Sequence, residues 1–309
     1  MPPTDLPPID PALRIGSARL AVSDLSRSAD FYERVLGLPL ISRTQDSTLL
    51  GPDPEHPRLT LTALTDPTPA PPGSTGLFHL AWLHPSRAAL AATVRRIAAG
   101  RWPLDGAADH GVSEALYLSD PDGLGIEIYA DRPRELWDRP SDGHGVKMVT
   151  LPLDLDSLLA EGSAETTAAV AMTMTMPADT TIGHVHLKVA DAPRAIAFYR
   201  DALGLDEQAL LPSAGFLSAG GYHHHVGLNS WQSQGGQPAP DSAPGLREVE
   251  LELSGAEALG ALERRLAEAE AGDQADRRSA PAREADGGRL SVRDPDGHAL
   301  VFSDASTRL

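Results

Sequence analysis

The chain has 309 residues, a length that suggests about two domains. Hydrophobic residues make up 41% and charged residues 22% of it, as in ordinary globular proteins. The formal net charge of −17 disfavours binding to nucleic acids and anionic membranes, because like charges repel. The sequence contains no cysteine, which excludes disulfides, iron–sulfur clusters, zinc–thiolate sites and cysteine nucleophiles.

The first residues, MPPTDLPPID, carry acids and prolines where a signal peptide would have basic and apolar residues. The sequence also lacks the run of about 18 apolar residues that a membrane-spanning helix needs. We therefore expect a cytoplasmic protein that acts on small molecules, with neither a nucleic acid nor a membrane as partner. A homo-oligomer is compatible with this sequence.

Two internal repeats organise the chain. Residues 15–38 align without a gap with residues 182–205, so that Phe31-Tyr32 falls on Phe198-Tyr199. Near the far end of each half, SDPDGLGIEIY (119–129) matches RDPDGHALVFS (293–303). The repeats predict two related halves, 1–131 and 181–309, joined by a linker over 132–180.

Each half shows the pattern β-α-β-β-β twice. Residues 15–22 alternate in polarity as a half-buried strand does, Asp24 is a suitable N-cap, and Gly37 ends the predicted helix. A strand at 58–64 follows, then a strand at 76–83, a helix ending at Gly100, and a hairpin around the DPDG turn. The second half repeats this plan. We predict an α+β protein of four βαβββ modules, at about 14–66, 74–131, 181–232 and 244–305.

The repeat pattern resembles the vicinal oxygen chelate superfamily, which includes glyoxalase I, fosfomycin and bleomycin resistance proteins, and type I extradiol dioxygenases. The resemblance implies that the modules carry curved sheets, which pair to form two cups. It also implies that metal ligands come from the first and last strands of the modules and point into a cup.

The corresponding positions can be identified one at a time. The first-strand positions of the four modules hold Ser17, His79, His184 and Glu248, and the last-strand positions of modules 2 and 4 hold Glu127 and Val301. Pairing of module 2 with module 3 would combine His79, Glu127 and His184. Sequential pairing would instead leave His184, Glu248 and a histidine from 223–225. We favour the first arrangement, because two histidines and one carboxylate form the ligand set of non-haem Fe(II) oxygenases.

The run from His110 to Glu127, HGVSEALYLSDPDGLGIE, resembles the extradiol dioxygenase signature. The resemblance implies that Tyr117 and His110 hold the substrate oxygens. A second run, FLSAGGYHHHVGLNSW (216–231), is expected to be a strand, with His223 and His225 on one face and His224 on the other. The resemblance places an acid/base histidine at His224, and an alignment error of one residue would move this role to a neighbouring histidine. The predicted substrate-binding residues are His186, His223, Asn229 and Trp231.

Together these motifs are most similar to a catechol 2,3-dioxygenase subgroup. The resemblance implies cleavage of a catechol-type aromatic diol beside its two hydroxyls, with O₂ as co-substrate and Fe(II) as cofactor. Mn(II) suits the same ligands. Two alternatives stay open on the same fold: a glyoxalase-like metal-dependent lyase or isomerase, and a metal-free binding or resistance protein.

Overall fold

Two curved eight-stranded sheets form the protein. The computed structural model describes residues 7–141, 143–161, 171, 174–272, 282–283 and 288–305. The strands of the first half are Arg14–Val22 (β1), Leu40–Arg43 (β2), Ser47–Leu50 (β3), Leu59–Ala63 (β4), Gly76–His84 (β5), Gly106–Asp109 (β6), Ser113–Ser119 (β7) and Gly125–Asp131 (β8). Those of the second half are Thr181–Lys188 (β9), Asp206–Leu211 (β10), Ala214–Ser218 (β11), Val226–Asn229 (β12), Gly245–Leu253 (β13), Ala282–Arg283 (β14), Arg289–Arg293 (β15) and Ala299–Asp304 (β16).

The sheets pair modules across the two halves. One sheet has the order β14-β15-β16-β13-β1-β4-β3-β2, and the other has the order β10-β11-β12-β9-β5-β8-β7-β6. Modules 2 and 3 therefore share a sheet, as do modules 1 and 4. The antiparallel pairs β5–β9 and β1–β13 join the modules within each sheet. This is the pairing favoured from the sequence, and sequential pairing is wrong.

Helices cover the sheets at the predicted places. They span Leu25–Phe31, Arg87–Ala99, Leu155–Ala160, Ala192–Ala197 and Ala256–Gly272. Asp24 caps the first helix by accepting a hydrogen bond from the backbone N–H of Arg27, and Asp191 caps its repeat in the same way. Both of these helices continue as a wider π-helical turn, which the sequence pattern does not predict. In the part of the chain that the structure describes, we find no helix long and apolar enough to cross a membrane.

A tyrosine in each π-helical turn ties consecutive modules together. The Tyr32 hydroxyl donates to the Asp120 carboxylate at 3.3 Å, and Tyr199 donates to Asp294 at 3.1 Å. Both acceptors are the first aspartate of a DPDG turn. The helices thus connect module 1 with 2 and module 3 with 4, while the sheets connect 2 with 3 and 1 with 4. The two halves of the sequence are therefore interleaved.

The two turn aspartates should make the stability of the folded protein depend on pH in opposite directions. Burial raises the pKa of Asp120 from 3.8 to about 6. Burial also opposes ionisation of Asp294, but His298 lies 2.8 Å away and the net effect lowers the pKa of Asp294. The stabilisation linked to Asp120 is present below about pH 4 and is lost as the pH rises through about 6. The stabilisation linked to Asp294 is present above about pH 4 and is lost as the pH falls through its lowered pKa.

We expect Asp120→Asn to gain stability relative to wild type between about pH 4 and pH 7, by up to about 3 kcal/mol. Asp294→Asn should lose stability relative to wild type over the same range. Urea unfolding of the three proteins at several pH values measures both differences. Parallel pH profiles for the two variants would contradict the assignment.

A β-bulge in β5 shapes the sheet of modules 2 and 3. Leu77 lies opposite Leu187 and His79 lies opposite His186, so Phe78 is an extra residue in β5. Its carbonyl oxygen approaches Gly125 at the start of β8 so closely that a Cβ there would collide with it. The bulge therefore requires glycine at position 125.

We expect Gly125→Ala to lower the free energy of unfolding by about 1–3 kcal/mol, because backbone must move to admit the methyl group. Gly260→Ala is the matched control. Gly260 lies within the helix Ala256–Gly272 with its nearest neighbour atom at 3.6 Å, so alanine should stabilise that helix by about 0.5–1 kcal/mol. Chemical denaturation measures both changes, and a neutral effect of Gly125→Ala would contradict the close approach.

Residues 143–151, within the predicted linker, bond to both edges of the second sheet, near β6 and at β10. The Val149 N–H donates to the His110 carbonyl at 3.2 Å, and Asp109 and Leu151 exchange two backbone hydrogen bonds of 2.9 Å. The Val146 N–H donates to the carbonyl of Gln208 in module 3. This segment therefore contacts both modules of that sheet. The part of the predicted linker that is rich in Ala, Thr and Met falls largely outside the described residues, which omit 162–170 and 172–173.

Candidate metal centre

Three buried side chains from three adjacent strands meet on one face of the second sheet. His79 lies on β5, Glu127 on β8 and His184 on β9. The sheet register explains the meeting, because Ala81 of β5 pairs with Glu127 on one side and with His184 on the other. His79 follows the bulge, one pleat along from Ala81. The sequence therefore brings residues from both halves of the chain to one point.

The three side chains converge through one atom each. His79 Nε2 lies 3.0 Å from Glu127 Oε2, His184 Nε2 lies 3.2 Å from the same oxygen, and the two Nε2 atoms are 3.3 Å apart. Metal–ligand bonds of about 2.0–2.2 Å give separations of about 3.0 Å at octahedral angles and about 3.4 Å at tetrahedral angles. The observed triangle lies within this range. Among the described residues, this is the group with the composition and spacing of a metal site.

The electrostatics of the triad suit a divalent cation. Burial lowers the pKa of His184 to about 4, so its imidazole is neutral at physiological pH. Glu127 is also buried, which opposes ionisation, but His184 and His79 outweigh this effect and hold its pKa well below the usual range. Neutral imidazoles and an ionised carboxylate are the forms that ligate metals. Nitrogen and oxygen donors with one carboxylate fit Fe(II) and also Mn(II).

Tyr117 and His110 lie beside the triad as a hydrogen-bonded pair. Tyr117 pairs with Glu127 in the β7–β8 register, and its ring centroid is 5.6 Å from that of His79. His110 Nε2 lies 2.7 Å from the Tyr117 hydroxyl, and His110 Nδ1 lies 2.8 Å from the Val149 carbonyl oxygen. Because a carbonyl only accepts, Nδ1 carries the proton of this contact, and in that tautomer Nε2 accepts from the Tyr117 hydroxyl. Burial raises the pKa of Tyr117, which keeps this hydroxyl protonated.

The histidines at 223–225 do not alternate on a strand as predicted. The strand β12 begins at Val226, and the three histidines precede it in a turn that follows two glycines of positive φ. This turn brings His223 Nδ1 and His224 Nδ1 to 2.8 Å from each other. The prediction of opposite faces for these two residues is wrong, because the period-two rule holds only within regular strand.

His224 and His223 lie at different distances from the triad. The His224 ring stacks on His184 with centroids 4.0 Å apart, whereas the His223 centroid is 6.1 Å from that of His184. His223 Nε2 is 2.9 Å from the Asp131 carboxylate, whose side chain is 25% exposed. A hydrogen-bonded chain therefore connects His224 through His223 to Asp131 at the surface. Burial lowers the pKa of His224, which makes this imidazole a neutral proton acceptor.

An aromatic wall continues from the triad to the mouth of the site. His186 packs with its ring centroid 5.0 Å from Phe78, 5.6 Å from Phe216 and 5.8 Å from Trp231. Asn229 Nδ2 contacts His186 Nε2 at 3.0 Å, and Trp231 is 50% exposed. The predicted substrate-binding residues His186, Asn229 and Trp231 are therefore neighbours, and such a wall suits a planar aromatic ligand.

Most of the remaining aromatic residues of the site could not be predicted from the alternation of side chains along a strand. Phe78 precedes His79, so regular alternation would put it on the opposite face, and only the bulge turns its ring towards His79. The Tyr129 ring lies 5.0 Å from that of His184, and its hydroxyl bonds that of Tyr222 at 2.8 Å. Trp137 packs 5.3 Å from His223 although it belongs to the predicted linker. Tyr129 alone was open to prediction, since it shares the face of Glu127 two residues earlier.

The corresponding face of the first sheet is held by ion pairs and hydrogen bonds. The Ser17 hydroxyl donates to Glu250 at 2.6 Å, and Glu248 binds Arg19 and Arg289 at 3.3 Å each. Because Glu248 lies in this other sheet, the alternative ligand set of His184, Glu248 and a neighbouring histidine is not assembled.

The comparisons with known proteins agree with this architecture. Residues 14–128 and 181–302 match the family model described as Glyoxalase/Bleomycin resistance protein/Dioxygenase superfamily. A catechol-2,3-dioxygenase of Bacillus subtilis (strain 168) is 43% identical over 235 residues, which cover 75% of this chain and 80% of that protein. Glyoxalase I from Zea mays has a similar fold, with a TM-score of 0.56 and 16% identity, covering 96% of this chain and 93% of that one. The cppA protein from Streptococcus pneumoniae TIGR4 also matches, with a TM-score of 0.54 and 12% identity, covering 97% and 100%.

Proposed function

The chain belongs to the glyoxalase/bleomycin resistance protein/dioxygenase superfamily, and we propose that it is an extradiol dioxygenase that cleaves catechol-type aromatic diols with O₂. The observation that carries the proposal is the triangle of His79, Glu127 and His184 on one face of a sheet; three protein ligands would hold the metal and would leave coordination positions for a diol and O₂. We assign Fe(II) to this triad, and Mn(II) fits the same donors. Residues Tyr117, His110 and His224 surround the triad.

The surroundings of each of these residues support a specific role in the proposed reaction. Fe(II), when bound, supplies the coordination positions and the redox chemistry that bring diol and O₂ together. Tyr117, kept protonated and oriented by donating to His110, accepts a hydrogen bond from a diol hydroxyl through its oxygen. His224, kept neutral, would accept the proton of a diol hydroxyl and return it to an oxygen of the ring-opened product, which retains both atoms of O₂. His186, Asn229 and Trp231 contact the aromatic ring, and His223 relays protons between His224 and Asp131.

The alternatives on this fold are less well supported. A glyoxalase-like lyase is expected to use four protein ligands, whereas the assembled group in the described residues has three. A metal-free binding protein would have no need for three converging, buried donor atoms, because their desolvation is costly without a cation.

The test is anaerobic loading of the purified protein with Fe(II), without a histidine tag, followed by mixing with catechol in air. We expect O₂ consumption and a yellow ring-cleavage product in equal amounts. Bound metal without O₂ consumption, across a panel of catechols and hydroquinones, would favour the lyase or isomerase. Failure to retain any metal would favour the binding protein.

A further inference from the structure

A single lysine lies on the metal-bearing face of β9. His184, His186 and Lys188 occupy alternate positions of this strand, and the register from Val185 to Lys188 is regular against β12. Side chains at alternate positions share one face, about 7 Å apart. Lys188 is therefore one pleat beyond His186, on the side of the site that lies away from Glu127.

The space beside Lys188 is open. Its direct neighbours across the sheet are Gly76 on β5 and Asn229 on β12. Gly76 has no side chain, and a Cβ placed there would meet no atom within 4 Å. Lys188, Gly76 and Gln232 form part of the wall of an open cavity of about 930 Å³ at this end of the sheet. None of the described residues around the triad lines this cavity, so Lys188, at the end of β9, is where the metal-bearing face borders it.

The Lys188 ammonium has no carboxylate partner within 4 Å in the part of the chain that the structure describes. Its side chain is half-buried, and burial alone lowers its pKa. The cavity is also lined by three aspartates, Asp122, Asp241 and Asp296, of which Asp122 and Asp296 already have a partner. Asp122 binds the Ser23 hydroxyl and backbone N–H, and Asp296 accepts the backbone N–H of Ala190 at 2.8 Å.

Three arginines line the same cavity: Arg27 pairs with Asp122, while Arg247 and Arg293 have no carboxylate within 4 Å among the described residues. Arg247 donates to the backbone carbonyls of Asp241, Ala243 and Leu246, and Arg293 donates to that of Gly297. Among the described lining residues, four cations therefore face three aspartates, which is a small positive excess in a protein of net charge −17. An anionic group is the ligand chemistry that such an excess attracts.

We propose that Lys188 determines substrate choice by binding a carboxylate on the side chain of the aromatic diol, with the rest of that side chain in the cavity beside Gly76. This inference rests on the proposed dioxygenase function. The diol oxygens would face the triad, the ring would lie along His186, and the carboxylate would reach Lys188 one pleat further along β9. The preferred substrates are then catechols with an acidic side chain.

The test compares two substrates of equal size and different charge. These are 3-(3,4-dihydroxyphenyl)propanoate and its neutral amide, cleaved by the Fe(II)-loaded enzyme. We expect kcat/KM to favour the carboxylate by about tenfold or more, because a hydrogen bond to a charged group discriminates by that amount. Lys188→Met should abolish this preference. Lys147→Met is the matched control, since the chain has only these two lysines and Lys147 is exposed and pairs with Asp138 at 3.3 Å.

An unchanged preference in Lys188→Met, or an equal rate for acid and amide in wild type, would overturn the assignment. Loss of cleavage for every diol, catechol included, would instead count against the proposed function. A second measurement is independent of turnover. Under anaerobic conditions, acetylation of Lys188, followed by mass spectrometry, should be slowed by the propanoate and not by the amide, while Lys147 reacts at a constant rate. Equal protection by both compounds would also overturn the assignment.

Discussion

Glu127→Gln should abolish iron retention and, with it, ring cleavage. Glutamine has the same shape, but it removes the negative charge that lies 3.0 Å from His79 Nε2 and 3.2 Å from His184 Nε2. The remaining two neutral imidazoles offer no charge compensation for a divalent cation in a buried site. We expect the iron content after desalting to fall at least tenfold, since even residues that only orient the ligands cost about 10–100-fold in metal affinity.

Glu248→Gln is the matched control for this variant. Glu248 occupies the first-strand position of module 4, in the other sheet, where it pairs with two arginines. It should therefore keep wild-type iron content, measured by elemental analysis of the two proteins prepared side by side. Normal iron in Glu127→Gln, or loss of iron in Glu248→Gln, would contradict the ligand assignment.

His224→Phe should retain iron and lose most of its turnover. The phenyl ring can keep the stacking on His184, whose ring centroid lies 4.0 Å from that of His224. It cannot accept the diol proton or bind His223 Nδ1. General acid–base catalysis by one side chain contributes about 10²–10⁴-fold, so we expect kcat to fall by this order while iron content stays near one per chain.

His56→Phe controls for the loss of a histidine elsewhere. His56 lies at the surface of module 1, 2.6 Å from Asp53, and its replacement should change neither iron content nor kcat. Steady-state rates with catechol, normalised to bound iron, separate the two effects. An unimpaired iron-normalised rate in His224→Phe would move the acid/base role to another residue, with His223 as the first candidate.

Much of the fold follows from the repeats, whereas the metal triad was identified through the resemblance to the vicinal oxygen chelate superfamily. A period of two along each strand placed His184 and His186 on one face, and both rings indeed lie near His79, at 5.4 and 4.9 Å. The resemblance assigns metal ligands to the first and last strands of the modules, and this pointed to His79, His184 and Glu127. The choice of module pairing needed chemistry as well, since only one pairing completed a ligand set.

The rest of the site could not be predicted, because it depends on departures from regular structure. The bulge at Phe78 adds a residue to β5 and brings two consecutive rings to the same face. The turn before β12 places His223 against His224 where alternation would separate them. Val149 reaches His110 from a segment without hydrophobic periodicity. Such contacts are set by tertiary packing, which local sequence patterns do not encode.

The interleaving of the modules also determines the order in which the protein can fold. Arg14 on the first strand binds Glu252, 238 residues further along the chain, so the β1–β13 pair must await the last module. The metal-bearing sheet needs residues only as far as Asn229 and can close earlier. Contacts of such large sequence separation slow folding, because long loops must close before any pairing is gained. The sheet of modules 2 and 3 can therefore close while module 4 is still unfolded, whereas the sheet of modules 1 and 4 needs both ends of the chain.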